Sequence, residues 1–189
     1  MIRHAGLIAR QVAGIWRGAL IEGPSGVGKS DLALRALDQG FVLVADDRTL
    51  VFVSGGRLHG RAPDPLAGQV EARGLGVLFQ PHRPFCRIDL LVRCVDRPQA
   101  VERLPDPMFQ VIEGVSTRVL DLWPLEPGAP GKIRRTSLGY IVVKHEFGCR
   151  YSCARRKKTV SKICMTVLSR WATREITVCR SCAVRRGTC

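Results

Sequence analysis

Acidic residues are nearly missing from the last third of this 189-residue chain. From Lys132 onward only Glu146 and Glu175 are acidic, against 15 lysines and arginines, whereas residues 1–131 carry 15 basic and 14 acidic groups. The net charge of +14 is therefore a property of the C-terminal stretch. Cysteine divides in the same way: only Cys86 and Cys94 precede Lys132, and six more follow it. Two compositions meet near that residue. The chain also lacks a run of 18 uncharged apolar residues, which excludes a membrane-spanning helix of ordinary length. Its start, Met1 to Arg10, is basic and apolar but has no continuous apolar core and no small-residue cleavage site. No targeting peptide and a cytoplasmic location are expected. No internal repeat is visible. At 46% hydrophobic and 24% charged residues, the remainder reads as an ordinary globular domain with an appendage.

What is present is one strong motif. Gly23-Pro24-Ser25-Gly26-Val27-Gly28-Lys29-Ser30 spells G-x-x-x-x-G-K-S, the phosphate-binding P-loop. Gly18 to Glu22 reads as a short buried strand before it, and Asp31 to Leu37 as a helix after it. That strand–loop–helix context is what gives the motif meaning. Glycines let successive backbone N–H groups turn inward around phosphate oxygens, and the helix N-terminus adds positive potential there. Lys29 would reach the β and γ phosphates of a nucleoside triphosphate, and the Ser30 hydroxyl would bind Mg²⁺.

Along the chain, Gly6–Val12 and Trp16–Ile21 are predicted strands around a turn at Ala13-Gly14. Gly40 is placed at the left-handed position closing the first helix. Phe41–Ala45 is apolar throughout, as a strand covered on both faces would be. Thr49–Val53, Gly74–Phe79, Ile88–Val95 and Thr117–Trp123 read as further strands or strand-like runs. Segments 61–68, 96–109 and 124–131, rich in proline or glycine, read as loops. Strands outnumber helices, so the expected fold class is α/β, P-loop-containing, with a mixed β-sheet and flanking helices.

Asp46 and Asp47 follow Lys29 by 17 and 18 residues, enough for one helix, a turn and one strand. That strand is expected to return beside the P-loop strand, bringing its carboxylates towards the γ-phosphate. Because neighbours on an extended strand point to opposite sides, one carboxylate is expected to face the reaction. Phosphoryl transfer needs such a group to orient or deprotonate the nucleophile. The alternative is an exposed acidic turn.

Taken together the motifs resemble the catalytic domain of the HPr kinase/phosphorylase family, in its short form without a separate N-terminal domain. The residues that carry the resemblance are His4-Ala5, Gly23 to Ser30, Leu32 to Leu34, Leu43 to Arg48, Val70 to Gly76 and Ala129 to Arg134. Ala72 stands where the family usually has a larger apolar residue. The resemblance covers residues 2–134 and implies an HPr kinase/PEP carboxykinase-like fold. It also implies an ATP- and Mg²⁺-dependent serine kinase acting on HPr, a small phosphocarrier of the sugar phosphotransferase system or its nitrogen-related branch. Some members also run the reverse reaction. By position, Asp47 is the general base with Asp46 its partner, Glu71 is the second Mg²⁺ ligand beside Ser30, and His4 is an active-site histidine. Arg103 matches an active-site arginine, which would stabilise charge on the transferring group. A homo-oligomer, commonly a hexamer, is implied, and no membrane or nucleic-acid partner is expected.

The resemblance stops after Arg134, so residues 135–189 are expected to be a basic, Cys-rich tail, disordered or non-native. A rival reading gives the tail a zinc site from Cys149, Cys153, Cys179 and Cys182, with His145 or Cys164 as alternatives, beside basic runs for nucleic acid. Few aromatics accompany those runs. Another P-loop phosphotransferase, acting on a small molecule, remains the enzymatic alternative.

Overall fold

The computed structural model describes residues 1–137, and every expectation for the tail beyond Ser137 lies outside the described residues. Among the described residues ten strands and two α-helices follow one another. They are β1 (Ile2–Val12), β2 (Ile15–Glu22), α1 (Lys29–Leu37), β3 (Val42–Ala45), β4 (Arg48–Ser54) and β5 (Arg57–Arg61). After these come β6 (Gln69–Ala72), β7 (Gly76–Phe79), β8 (Cys86–Cys94), β9 (Met108–Ile112), β10 (Val115–Leu122) and α2 (Ala129–Ser137).

Three hairpins give the sheet its local order. Ala13-Gly14, Gly55-Gly56 and Glu113-Gly114 all have positive φ at both positions and join strands whose closing pairs are Val12–Ile15, Ser54–Arg57 and Ile112–Val115. Two central residues with φ > 0 match the right-handed twist of the flanking strands. The sheet then closes on itself. β1 pairs antiparallel with β2 and β4, β4 with β5, β5 with β8, and β8 runs parallel to β2, which completes a ring of five strands. β10 and the edge strand β9 extend from β8. The ring is tight inside. A Cβ on Gly18 would stand 2.5 Å from the Cys86 sulfur, so no larger residue fits that crossing.

Strand alternation sorts the apolar residues into two layers. Leu7, Leu20, Val51, Leu58, Cys86, Ile88 and Leu91 pack in one buried cluster. Ile8, Ala19, Ile21, Leu90 and Val92 pack in the other, beneath Leu32, Ala33 and Ala36 of α1 and Ala129 and Ile133 of α2. The mixed sheet with few helices agrees with the expected class. α1 ends as anticipated: Gly40 has φ 83°, and the Phe41 N–H donates to the Ala36 carbonyl.

Four expectations need correction. β3 does not lie beside β2; it pairs with β1, which stands between them. Chain length between the two segments allowed the return but did not say that the β1–β2 hairpin had already taken that edge of β2. Segment 96–109 ends in a strand, β9, because Pro105 and Pro107 precede it and the edge position asks for few donors. Segment 124–131 is likewise not all loop, since α2 begins at Ala129 with Pro130 in its first turn, where a missing N–H costs nothing. α2 also runs past Arg134 to Ser137, so the boundary expected after Arg134 falls inside a helix.

Candidate active site

The loop Gly23–Ser30 leaves the end of β2 and turns into α1. Gly28, just before the helix, has φ 106°, and a Cβ there would stand 2.9 Å from the Leu125 side chain. Both the backbone and the space demand glycine. The Lys29 side chain is buried and curls back, its Nζ donating to the carbonyls of Gly23 (3.0 Å) and Pro24 (2.9 Å). Those bonds hold the loop in an arch. Arg35 on α1 pairs with Asp31 and donates to the carbonyls of Pro124 and Glu126, so the helix is fixed to the segment carrying Leu125.

β3 and β4 lie end to end along β1, and the break between them is Asp46-Asp47. Asp47 takes φ 60°, which interrupts strand alternation. Asp46 therefore meets the loop, and Asp47 meets His4. The Ser30 hydroxyl donates to Asp46 at 3.1 and 3.3 Å, and the Glu71 backbone N–H donates to the same carboxylate at 3.1 Å. Asp46 is buried, and burial raises its pKa above the ordinary carboxylate value against the pull of these two donors. Asp47 is more open; its Oδ1 lies 3.2 Å from Nδ1 of His4 on β1.

A cavity of about 490 Å³ opens over this arrangement. The loop contributes Ser25, Gly26, Gly28, Lys29 and Ser30; His4, Asp47 and Glu71 form the facing walls, with Asp31, Leu34, Ala72, Arg73, Leu75 and Leu125. Ser30, Asp46 and Glu71 supply only oxygen donors at one end of the loop, a set that fits Mg²⁺, which is held by one or two carboxylates plus phosphate oxygens and water. Beneath the loop, Cys94 is buried against Gly23, and burial pushes its thiol up to about 12 despite Lys29 nearby.

The structure brings together His4, Lys29, Ser30, Asp46, Asp47 and Glu71 from four separate segments. It does not bring Arg103, which is exposed on the segment between β8 and β9 and is not among the residues lining the cavity. Sequence reasoning passed over Arg73. Its guanidinium lies 3.7 Å from where a Cβ on Gly26 would stand, over the loop. It lies in the turn directly after β6, two residues beyond Glu71.

Comparison with known proteins gives consistent names. Residues 3–82 match the family model described as the HPr Serine kinase C-terminal domain. The chain is 37% identical over 113 residues to the HPr kinase/phosphorylase of Leptothrix cholodnii, covering 53% of this chain and 35% of that protein. It is 37% identical over 89 residues to that of Mycoplasmopsis pulmonis, covering 43% and 29%. Against the Clostridium beijerinckii protein it is 45% identical over 67 residues, covering 35% and 22%. The chain thus spans about a third or less of the curated relatives it matches. Among solved structures, the Hpr(Ser) kinase/phosphatase from Coxiella burnetii superposes with a TM-score of 0.60 at 23% identity, over 74% of this chain and 88% of that one. The two share a fold. The resemblance read from the motifs is borne out over residues 3–82, a stretch that includes every cavity-facing residue named above except Leu125.

Proposed function

We propose that residues 1–137 form an ATP-dependent serine kinase whose acceptor is the phosphocarrier HPr, and that it regulates carbohydrate metabolism through the phosphotransferase system. The observation that carries this reading is one cavity lined by the Gly23–Ser30 loop, Asp47 and Glu71, with Asp46 joining the Ser30 hydroxyl to the Glu71 backbone. A phosphate cradle alone describes many nucleotide-binding proteins. A carboxylate pair at its mouth adds a proton acceptor and a metal ligand.

In this reading the loop N–H groups and Lys29 hold the triphosphate. Ser30 and Glu71 would hold Mg²⁺, which would supply positive charge against the phosphates. Asp46 stays fixed by Ser30 and the Glu71 backbone, which sets the spacing between the loop and β6. Asp47, oriented by His4, accepts the proton of the seryl hydroxyl as its oxygen bonds to the γ-phosphorus. The bond from that phosphorus to the β–γ bridging oxygen breaks, and ADP leaves. In the opposite direction inorganic phosphate takes the place of ADP: its oxygen bonds to the phosphoserine phosphorus, the bond to the seryl oxygen breaks, Asp47 returns the proton to that oxygen, and pyrophosphate leaves. The site suits a cytoplasmic enzyme, and a homo-oligomer, a hexamer by resemblance, belongs to the same reading.

The test is transfer of the γ-phosphate from ATP to purified HPr, with Asp47→Asn as the control. Labelled HPr that disappears in the control supports the reading. ADP binding without labelling, while a small hydroxyl compound becomes phosphorylated, would replace it with a small-molecule phosphotransferase.

A further inference from the structure

β6 and β7 form a sheet of their own, a two-stranded ribbon beside the cavity. Its register sets Glu71 opposite Val77 and Gln69 opposite Phe79, so these four side chains share one face. Val70 and Ala72 take the other face and are buried. The first face starts at the candidate metal ligand and continues into apolar residues open to solvent. Val77 is 57% exposed and Phe79 77% exposed, while Leu75, at the bend and lining the cavity, is 78% exposed. An isolated ribbon is marginal in water, and two large apolar side chains on its open face, with a third at its bend, do not help hold it to the body. Contiguous exposed apolar surface of this kind marks an interaction site.

We propose that Leu75, Val77 and Phe79 are the docking strip for the protein acceptor, a folded protein whose reactive serine is flanked by apolar side chains. This rests on the serine kinase reading of the site. The strip is continuous with the cavity at Leu75 and lies on the Glu71 face, so whatever covers it is placed against the reacting end of the loop. From Leu75 to Phe79 it runs roughly 13 Å along the strand. A small acceptor held beside Asp47 would leave Phe79 bare. A macromolecule covers both ends at once, and Val77 and Phe79 give it recognition without touching the chemistry.

The test is the full chain carrying Val77→Thr and Phe79→Thr, which keep β propensity while removing apolar surface. KM for HPr and the directly titrated Kd for HPr are compared with ADP affinity, kcat and sedimentation behaviour. The expected result is a rise of about tenfold or more in KM and Kd for HPr, with kcat at saturation and ADP affinity unchanged. Phe79→Thr alone, expected to give a several-fold rise, replaces the double variant if that one fails to bind ADP. Unchanged KM and Kd overturn the strip. A smaller oligomer with unchanged KM assigns the patch to a second copy of this chain and overturns it too. Failure of the unaltered chain to label HPr overturns the kinase reading and the strip together, and only that outcome appears without any substitution.

Discussion

Asp46 is held by two donors yet pays for its burial, and that balance predicts opposite results for two substitutions. In Asp46→Ala the Ser30 hydroxyl and the Glu71 N–H both lose their acceptor. Each buried unsatisfied donor costs about 1–3 kcal/mol. Ser30 is only partly buried and regains water, so the lower end applies, and removing a buried carboxylate returns part of the loss. A net destabilisation of about 1–2 kcal/mol follows, a fall of roughly 3–8 °C in Tm for a domain of this size. Asp46→Asn keeps the shape. Its oxygen can accept from the Glu71 N–H, and the Ser30 hydroxyl can rotate to accept from its amide. Because burial raises the Asp46 pKa, the folded state favours the neutral form. Asp46→Asn should therefore match or slightly exceed the parent in stability at pH 7. A raised folded pKa contributes stability that is full below the unfolded value and is lost as pH rises through the folded one. The parent should close the gap as pH falls towards 3.8, the ordinary value of that carboxyl. Urea melts in chelator at pH 4.0 and 7.0 read both effects, while Mg·ADP titration reads the expected loss of function. Destabilisation of Asp46→Asn at pH 7 by as much as Asp46→Ala would refute this reasoning.

Other positions give similarly direct expectations. Asp47→Gly relieves a left-handed residue at φ 60°, so its urea melt should lie within about 1 kcal/mol of the parent, while HPr labelling disappears. Gly28→Ala meets both a positive φ and the Leu125 side chain, and should lose about 1–3 kcal/mol in thermal melts together with most ADP affinity in calorimetry. Ala13→Asn and Glu113→Asn suit hairpin turns with φ > 0 better than the residues present; each should raise Tm by about 1–4 °C in scanning calorimetry. Burial pushes the Cys86 and Cys94 thiols to about 12, so peptide mapping after alkylation at pH 8 should find both unmodified in native protein and modified in urea.

Much of this was legible because it was local. The β1–β2 hairpin, the loop, α1 and the Gly40 cap each carry their own signal within a few residues. β9 and α2 were hidden by prolines that disturb a propensity reading but not an edge strand or a first helical turn. The neighbour of β3 was misjudged because sheet order is decided by which edges are already occupied, and that is non-local. The ring itself had no signature, since β5–β8 and β2–β8 join distant segments. For the site, Lys29, Ser30 and the aspartates could be read from motif and spacing. Glu71 and His4 came from resemblance alone, because neither has a chemical context until the ribbon and β1 meet the loop. Arg73 was overlooked in a segment valued for its glycines.

The ring has a consequence in time. β2 finds its first partner, β1, across a two-residue turn, but its second, β8, begins more than sixty residues after β2 ends. The loop leans on that late partner, with Gly23 against Cys94, and on Leu125 later still. A hairpin closes in about 1–10 μs, whereas at about 5–20 residues per second a ribosome needs several seconds to supply β8. A nascent chain thus carries the complete motif long before it owns the shape the motif needs. In the proposed kinase, nucleotide would select only chains whose ring has closed, and by mass action it would protect them from reopening. Binding becomes a readout of finished synthesis, and a chain interrupted before Cys86 would keep the letters of the loop without its grip.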